Sequence, residues 1–330
     1  MNKEFAGERH LAKGTLKFLR KNVLLVFLII IVVIIAFSEK SFFTSTNLLN
    51  ILRQITVAGI MVCGTCFVLV SGTIDLSVGG NLTLSLCIMA VLVPYIGIYP
   101  AMLVCMAVAV GCAVANGILV SRVVVNDGTP FIITFGTMTA MYAAALIITS
   151  GYNNKLPSDP VLDFFGKGMV GIIPFPVILF IAAVILCQFI LTKTPFGRRM
   201  YFLGVNPEAS RLSGIHIANQ RILGFAIEGV CIGLSAIILG SRVGSVIPSI
   251  GNPYDFDVLT MAIVGGVMLG GGRGNILGAF IGTIVIGVLT NAMSLLNISD
   301  SPQEIVKGIL IIVAVWLDTY NKGKDREASL

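Results

Sequence analysis

The chain has 330 residues, of which 56% are hydrophobic and 12% are charged, and its mean hydropathy is +0.97. Soluble domains carry about twice that share of charge, because they must present a hydrated surface, so the composition excludes a soluble globular protein. The apolar runs are long and continuous, which favours membrane-spanning α-helices of about 20 residues over a β-barrel with alternating strands.

Ten apolar segments predict an all-α membrane protein with about ten transmembrane helices. The third and eighth segments are rich in glycine, so they are either continuous or broken and partly re-entrant. The transmembrane domain is predicted to cover residues 22–318, between an N-terminal segment, 1–21, and a tail, 319–330. In chain order the predicted spans are 22–38, 48–71, 76–93, 101–121, 130–150, 174–192, 222–242, 257–270, 276–296 and 302–318.

Lysine and arginine set the orientation of the spans, because they concentrate in cytoplasmic segments. With ten spans, 16 of the 22 basic residues fall on one face, in the N-terminal segment, the loop 193–221, the tail and two short turns, and four fall on the other. Both termini and the loop 193–221 are therefore predicted to be cytoplasmic. The net charge of +6 is a topology signal and does not indicate nucleic-acid binding. Ser38 to Lys40 does not match a cleavage site, so we expect the first span to be retained.

The cytoplasmic loop 193–221 divides the spans into two groups of about five, and a weak internal repeat supports this division. Pro130 and Gly136 open the fifth span with the same spacing as Pro302 and Gly308 in the tenth, and an aspartate precedes a glycine pair in each half. This pattern predicts two pseudo-repeated halves with a substrate path between them, although chance similarity among apolar helices also produces such matches.

Sequence motifs for catalysis are absent. The chain contains no G-x4-G-K-[ST] phosphate loop and no H-E-x-x-H motif, and its two histidines, His10 and His216, lie in predicted cytoplasmic segments. We therefore predict no catalytic residues, no metal site, and no cofactor bound by this chain.

The first polar feature within the apolar region is the stretch 71–80, Ser-Gly-Thr-Ile-Asp-Leu-Ser-Val-Gly-Gly. A carboxylate at membrane depth is costly unless it is paired or lines water. Asp75 is therefore either part of a gate or a cap for the free amide groups at the start of the next helix. Both roles are compatible.

The second feature is the glycine-rich stretch 261–274. Its glycines permit a tight turn and close helix packing, which we expect to be the role of Gly265, Gly266, Gly271, Gly272 and Gly274.

The third feature is a short helix in the cytoplasmic loop. Asn206 is a suitable N-cap, Pro207 suits the first helical position, Glu208 suits the first turn and Gly214 suits the terminator. The helix either docks on a cytoplasmic partner or connects two spans at the interface. The whole predicted element comprises Asn206, Pro207, Glu208, Ala209, Ser210, Arg211, Leu212, Ser213 and Gly214.

Taken together and in this order, the three features resemble those of the permeases of the ribose, galactose and xylose class of ATP-binding cassette (ABC) importers. The resemblance runs from about residue 42 to residue 318. It is carried by Ile74-Asp75-Leu76-Ser77-Val78-Gly79, Thr129-Pro130-Phe131-Ile132, the stretch 206–215, and the glycines from 265 to 274. Branched-chain amino acid and nucleoside permeases are related, but the Ile-Asp-Leu-Ser-Val-Gly string favours the sugar branch.

The resemblance implies a bacterial inner-membrane permease that works as a dimer, either of two copies or with a paralogue. It implies a cytoplasmic double-cassette ATPase that binds ATP and Mg²⁺, a periplasmic or lipid-anchored sugar-binding protein, and a coupling role for residues 208–214. Departures from the family pattern are Thr73, Ser210 and Asp255-Phe256-Asp257. If the last of these faces the gate or the binding protein, it alters substrate or partner choice.

Transport is expected to proceed by alternating access through a cavity lined by small polar groups. The candidate gate and path residues are Asp75, Ser77, Gly79, Asn81, Asn116, Thr134 and Asn291. The ordinary alternative for a buried Asn or Thr is a helix–helix hydrogen bond. A proton-coupled secondary sugar transporter is the alternative function, but its relay would need Asp75, Glu228 and Asp257, which are scattered in the sequence. A membrane scaffold without transport is a further alternative.

Overall fold

The computed structural model describes residue 39 and residues 41–123 and 128–327, with the backbone alone for residues 314–327. These residues are mostly helical. The helices are α1 Ser45–Val70, α2 Val78–Ile96, α3 Ile98–Val123, α4 Thr129–Thr149, α5 Pro160–Lys167, α6 Phe175–Lys193, α7 Pro195–Val205, α8 Pro207–Leu212, α9 Ile217–Val243, α10 Asn252–Val264, α11 Ile276–Leu295 and α12 Asp300–Glu327. The strands are β1 Asn154–Lys155, β2 Met169–Val170, β3 Ile173–Pro174 and β4 Ser245–Val246.

Seven of the described helices are long and apolar enough to cross a membrane, namely α1, α2, α3, α4, α6, α9 and α11. They correspond to seven of the ten predicted spans. The predicted span 22–38 lies outside the described residues. The predicted span 257–270 is helical only as far as Val264 and is therefore broken, and the predicted span 302–318 lies within α12.

Several helices begin at a polar side chain that accepts a hydrogen bond from a free backbone amide. Thr44 accepts from Asn47 at α1, Asn275 accepts from Gly278 at α11, and Asn206 accepts from Ala209 at α8. Such a cap satisfies one of the amide groups that the first helical turn leaves unpaired. The predicted N-cap Asn206 is confirmed.

The helices pack as two groups around α1 and α9, which contact each other at the centre. In the first group α2 packs on α3 and α4, and in the second α10 packs on α11 and α12. Across the groups α9 packs on α3, and α11 packs on α1. The contacts of α10, α11 and α12 in the second group therefore match those of α2, α3 and α4 in the first. At one end of the bundle, β1 pairs antiparallel with β4, with Asn154 opposite Val246.

Glycines on α9 and α11 allow the closest of these contacts. A Cβ atom at Gly229 of α9 would lie 2.7 Å from Cα of Val110 in α3, and Gly233 faces Met106 one turn further along. On α11, Cβ atoms at Gly278 and Gly282 would overlap the backbone of Gly265 and Met261. Because only glycine fits at such backbone contacts, these glycines allow the neighbouring helices to pack closely.

Candidate functional site

A buried, non-helical segment of residues 71–77 separates α1 from α2; we call it the broken segment. Thr73, Asp75 and Ser77 within it are at most 1% exposed. The third predicted span therefore begins as a non-helical chain and is helical only from Val78 onwards. Irregular backbone at membrane depth is tolerated only where protein or water satisfies its polar groups, so the partners of this segment determine its stability.

The predicted capping role of Asp75 is wrong. Ser77 is the N-cap residue of α2, and its side chain makes no capping bond. Asp75 Oδ1 instead accepts hydrogen bonds from the amide and the hydroxyl of Ser77, both at 2.7 Å. These bonds stabilise the turn before the helix and do not reach the amide groups of the first helical turn.

The carboxylate that caps α2 belongs to Asp255 in the first turn of α10. Its Oδ1 accepts from the amides of Gly79 at 2.7 Å and Gly80 at 3.2 Å, and its Oδ2 accepts from the hydroxyl of Tyr142 in α4 at 2.6 Å. Asp255 is 4% exposed. A negative charge at a helix N-terminus is favourable, so one carboxylate joins α2, α4 and α10.

Glycine is required where Asp255 approaches α2. A Cβ atom at Gly79 would overlap the carbonyl oxygen of Gly251 and lie 2.6 Å from Asp255 Oδ1. A Cβ atom at Gly251 would in turn overlap the backbone of Gly79 and the hydroxyl of Thr83, which accepts from the Gly251 amide. The backbones therefore meet directly, and this contact is what brings the carboxylate within reach.

Glu228 of α9 faces the broken segment and is completely buried. Its Oε1 accepts from the hydroxyl of Thr65 in α1 at 2.7 Å, and its carboxyl group interacts with that of Asp75. Asp75 and Glu228 are far apart in the sequence, but the fold brings their carboxyl groups together. Asp257, by contrast, pairs with Lys307 of α12 at 2.7 Å.

The remaining predicted path residues make hydrogen bonds within the helix bundle. Asn81 Nδ2 donates to the carbonyl of Ala109, Asn116 Nδ2 donates to Ser77 Oγ, and Thr134 Oγ1 donates to the carbonyl of Pro130. Asn291 and Asn47 exchange two amide hydrogen bonds of 3.0 and 3.1 Å. The bonds of Asn81 and Asn291 fit the helix–helix alternative, whereas that of Thr134 is internal to α4. A path role for these residues stays a prediction.

Two cavities lie on either side of the Asp257–Lys307 ion pair. One of about 320 Å³ lies among α1, α10, α11 and α12, with Gln54, Tyr254 and Glu304 in its wall. The other, of about 480 Å³, lies among α4, α10 and α12. Both are of the size of small-molecule sites. None of the seven predicted path residues, all of which the structure describes, lines either cavity.

Four glycines meet where α1 and α7 end, and we call this contact the glycine junction (Gly72, Gly204, Gly271 and Gly272). A Cβ atom at Gly204 would overlap the carbonyl of Val70 and the amide of Gly272, which hydrogen-bond to each other at 2.9 Å. A Cβ atom at Gly271 would lie 2.6 Å from Cα of Gly72. The junction thus joins α7 to the broken segment and to the connection between α10 and α11.

The packing role predicted for the five glycines of the 261–274 stretch needs a correction. Gly265 does pack on α11, where a Cβ atom would lie 2.5 Å from Cα of Ala279. Gly266, Gly271, Gly272 and Gly274 lie in the connection, with φ values of 86°, 77°, 74° and 127° that favour glycine. These four shape the turn, and two of them also form the junction.

The helix α7 was missed by the sequence analysis. Thr194 caps it by accepting from the amide of Gly197, and Pro195 follows at the first helical position, so the Thr-Pro dipeptide was the available signal. Tyr201 of α7 donates to the carbonyl of Gly274 at 2.7 Å. Asn206 ends α7 and begins α8, so the two short helices share a residue.

The surface of α8 is both charged and apolar. Arg211 donates two hydrogen bonds to the Glu208 carboxylate, which hold the pKa of that carboxyl below its ordinary value. Leu212 is 77% exposed. Ser210 is buried and donates to the carbonyl of Asn206, which explains why a hydroxyl is tolerated at this position. Gly214 has a φ of 81°, with open space around its Cα atom.

Comparison with known proteins identifies the family to which the chain belongs. The family model described as branched-chain amino acid transport system / permease component matches residues 47–315. The chain is 36% identical to the ribose import permease protein RbsC of Bacillus subtilis, over 88% of this chain and 90% of that protein. It is 35% identical to RbsC of Haemophilus influenzae, over 92% and 94%, and 30% identical to the fructose import permease protein FrcC of Rhizobium meliloti, over 96% and 90%. No solved structure matches the chain.

Proposed function

The chain belongs to the family of branched-chain amino acid transport system permease components, and we propose that it is the membrane-spanning subunit of an ABC importer for a simple sugar. The observation that carries this function is the similarity to ribose and fructose import permeases over about nine-tenths of both chains. The two cavities beside Asp257 and Lys307 are consistent with a small-molecule cargo.

We further propose ten spans arranged as two inverted halves, with both termini in the cytoplasm of a bacterial cell. The recurrence of the same helix pairs around α1 and α9 supports the two halves. The distribution of Lys and Arg supports the orientation. In this orientation the glycine junction, α7 and α8 lie on the cytoplasmic side, and α5 with β1 and β4 lies on the outer side.

The proposed assembly has three partners. A double-cassette ATPase binds ATP and Mg²⁺ and contacts α8, a sugar-binding protein docks on the outer connections, and a second copy of this chain completes the path. The exposed surface of α8 supports the first contact, because Leu212 offers an apolar anchor beside the Glu208–Arg211 ion pair. Aliphatic and charged groups in one small patch suit a protein interface better than lipid contact.

Coupling follows from the connection of α8 to the core. Movement of α8 passes through Asn206 into α7, and Gly204 and Tyr201 transmit it to the glycine junction. Because the junction contacts Val70 at the end of α1, the broken segment moves with it. Rigid contacts between backbones suit such transmission, since there are no flexible side chains between them to absorb the displacement.

The cargo route is proposed to include the two cavities. Their polar lining (Gln54, Tyr142, Tyr254 and Glu304) supplies hydrogen-bond donors and acceptors for hydroxyl groups. Asp257 and Lys307 neutralise each other, and the Glu304 carboxylate in both cavity walls adds acceptor oxygens for hydroxyl groups. A site built in this way binds weakly and leaves affinity to the binding protein.

The function is tested by purifying the tagged chain from its native membrane in mild detergent, with nucleotide present. We expect a double-cassette ATPase in stoichiometric amount, and sugar uptake that is lost on ATP depletion and survives an uncoupler. Absence of the ATPase together with uncoupler-sensitive uptake would establish the secondary-transporter alternative instead.

The double variant Glu208→Arg, Gly214→Val is expected to lower ATPase association about tenfold or more while membrane insertion is unchanged. The first substitution reverses the charge and places two guanidinium groups side by side. The second strains the terminator, since valine rarely adopts a φ of 81°. Together they cost at least about 1.4 kcal/mol of binding free energy, which corresponds to a tenfold change. Co-purification of the ATPase measures the effect.

A matched control exists at the other end of the bundle. Asp163→Arg with Gly171→Val makes the same two changes in an exposed ion pair, Asp163 with Lys167, and at a glycine with a φ of 62° and open surroundings. We expect full ATPase association for this variant. Equal losses in both variants would show that the α8 contact is not specific.

A further inference from the structure

The carboxyl pair Asp75–Glu228 is the most unusual buried feature of the structure. Both residues are at most 1% exposed. Glu228 Oε1 accepts from Thr65, whereas its Oε2 is buried and has no hydrogen-bond donor among the described residues. The Glu228 carboxyl group, to which this unpartnered oxygen belongs, interacts with the carboxyl group of Asp75. A buried oxygen with no donor beside a second carboxyl is unfavourable if both groups are ionised.

In the part of the chain that the structure describes, no positive charge offsets the pair. The titratable groups that interact with Glu228 and Asp75 are the thiols Cys66 and Cys231 and the carboxyl of Asp255. Among the described residues no Lys, Arg or His interacts with either carboxyl. Two adjacent carboxylates in such surroundings retain a proton, as in the paired carboxyl groups of other proteins.

The position of the proton follows from the hydrogen bonds. Asp75 Oδ1 already accepts two bonds from Ser77, and such bonds favour the ionised form of an acceptor. Glu228 accepts one bond and has one oxygen without a partner. A hydrogen atom on Oε2 converts that oxygen from an unsatisfied acceptor into a donor.

We propose that Asp75 and Glu228 form a proton-binding site, in which Glu228 is a neutral carboxylic acid that donates a hydrogen bond to the Asp75 carboxylate. The shared proton holds the broken segment against α9. Through Thr65 the same acid also joins α9 to α1. Glu228 is thus a positioning residue for the broken segment, and its role does not require the chain to transport a sugar.

The test uses the purified full-length chain in lipid nanodiscs. The infrared difference between wild type and Glu228→Gln is expected to contain the C=O stretch of a protonated carboxyl group. Glu208→Gln is the matched control, because Glu208 is exposed and ion-paired with Arg211, and its difference spectrum is expected to contain carboxylate stretches only. Carboxylate stretches in the Glu228→Gln difference would overturn the proposal, since they would mean an ionised Glu228 held by a small cation.

Thermal unfolding gives a second, independent readout. Glu228→Gln is expected to unfold at the temperature of the wild type, because its amide N–H donates to Asp75 and its oxygen still accepts from Thr65. Glu228→Ala leaves Asp75 and Thr65 without their hydrogen-bond partner and opens a cavity. We therefore expect its unfolding midpoint to fall by about 5 °C or more. A Glu228→Gln protein as unstable as Glu228→Ala would contradict the proposal.

Discussion

Replacing Gly204 with valine is expected to abolish ATP-driven uptake and to destabilise the chain by about 3 kcal/mol or more. The side chain would enter the glycine junction, where the nearest atoms are the carbonyl of Val70 and the amide of Gly272. Backbone atoms that hydrogen-bond to each other cannot yield as a flexible side chain does. The end of α7 must therefore move away from α1 and from the connection between α10 and α11. Uptake in reconstituted vesicles and thermal unfolding in detergent measure the two effects.

Gly111→Val is the matched control for this substitution. Gly111 is also a helical glycine, in α3, but a Cβ atom there meets nothing within 4 Å. We expect this variant to fold and to transport as the wild type does. Alanine at Gly204 should have an effect in the same direction, because the overlap already begins at the Cβ atom. Normal uptake by Gly204→Val would show that the junction does not transmit movement.

Removing the carboxylate of Asp255 is expected to lower the free energy of unfolding by about 3–5 kcal/mol, the range seen when one partner of a buried charged network is deleted. Asp255→Ala leaves the amides of Gly79 and Gly80 and the hydroxyl of Tyr142 without their acceptor in a buried site. Asp255→Asn keeps an oxygen for the two amides, so we expect a smaller loss. Chemical or thermal unfolding of the purified chain distinguishes the two variants.

Asp159→Ala provides a close structural control. Asp159 Oδ1 accepts from the amides of Val161 and Leu162 at 2.9 and 3.1 Å, and its Oδ2 accepts from the hydroxyl of Tyr99 at 3.3 Å. The chemistry is the same as at Asp255, but this cap is partly exposed, and both of its amide donors belong to the short helix α5. We expect Asp159→Ala to lower the free energy of unfolding by about 1 kcal/mol. Similar losses at both sites would mean that burial of the Asp255 network adds nothing.

The sequence determined the elements that depend on neighbouring residues. Continuous apolar runs identified the seven helices that are able to span a membrane, because hydropathy is a property of each segment alone. The Asn206-Pro207-Glu208 pattern located α8, since capping joins residues only three positions apart. The order of the sequence motifs also predicted the family, which similarity to known permeases confirms.

Only the tertiary structure determined which distant groups satisfy the broken segment. Asp75 has the expected sequence for a cap, yet Asp255, 176 positions from Gly79, supplies the carboxylate. A lone glutamate in an apolar span signals function, but its proximity to Asp75 depends on how α9 crosses α1. The same holds for Gly204, whose role depends on backbones that meet across three connections. Contacts of this kind depend on how helices pack, and that geometry is a property of the whole bundle that local sequence patterns do not encode.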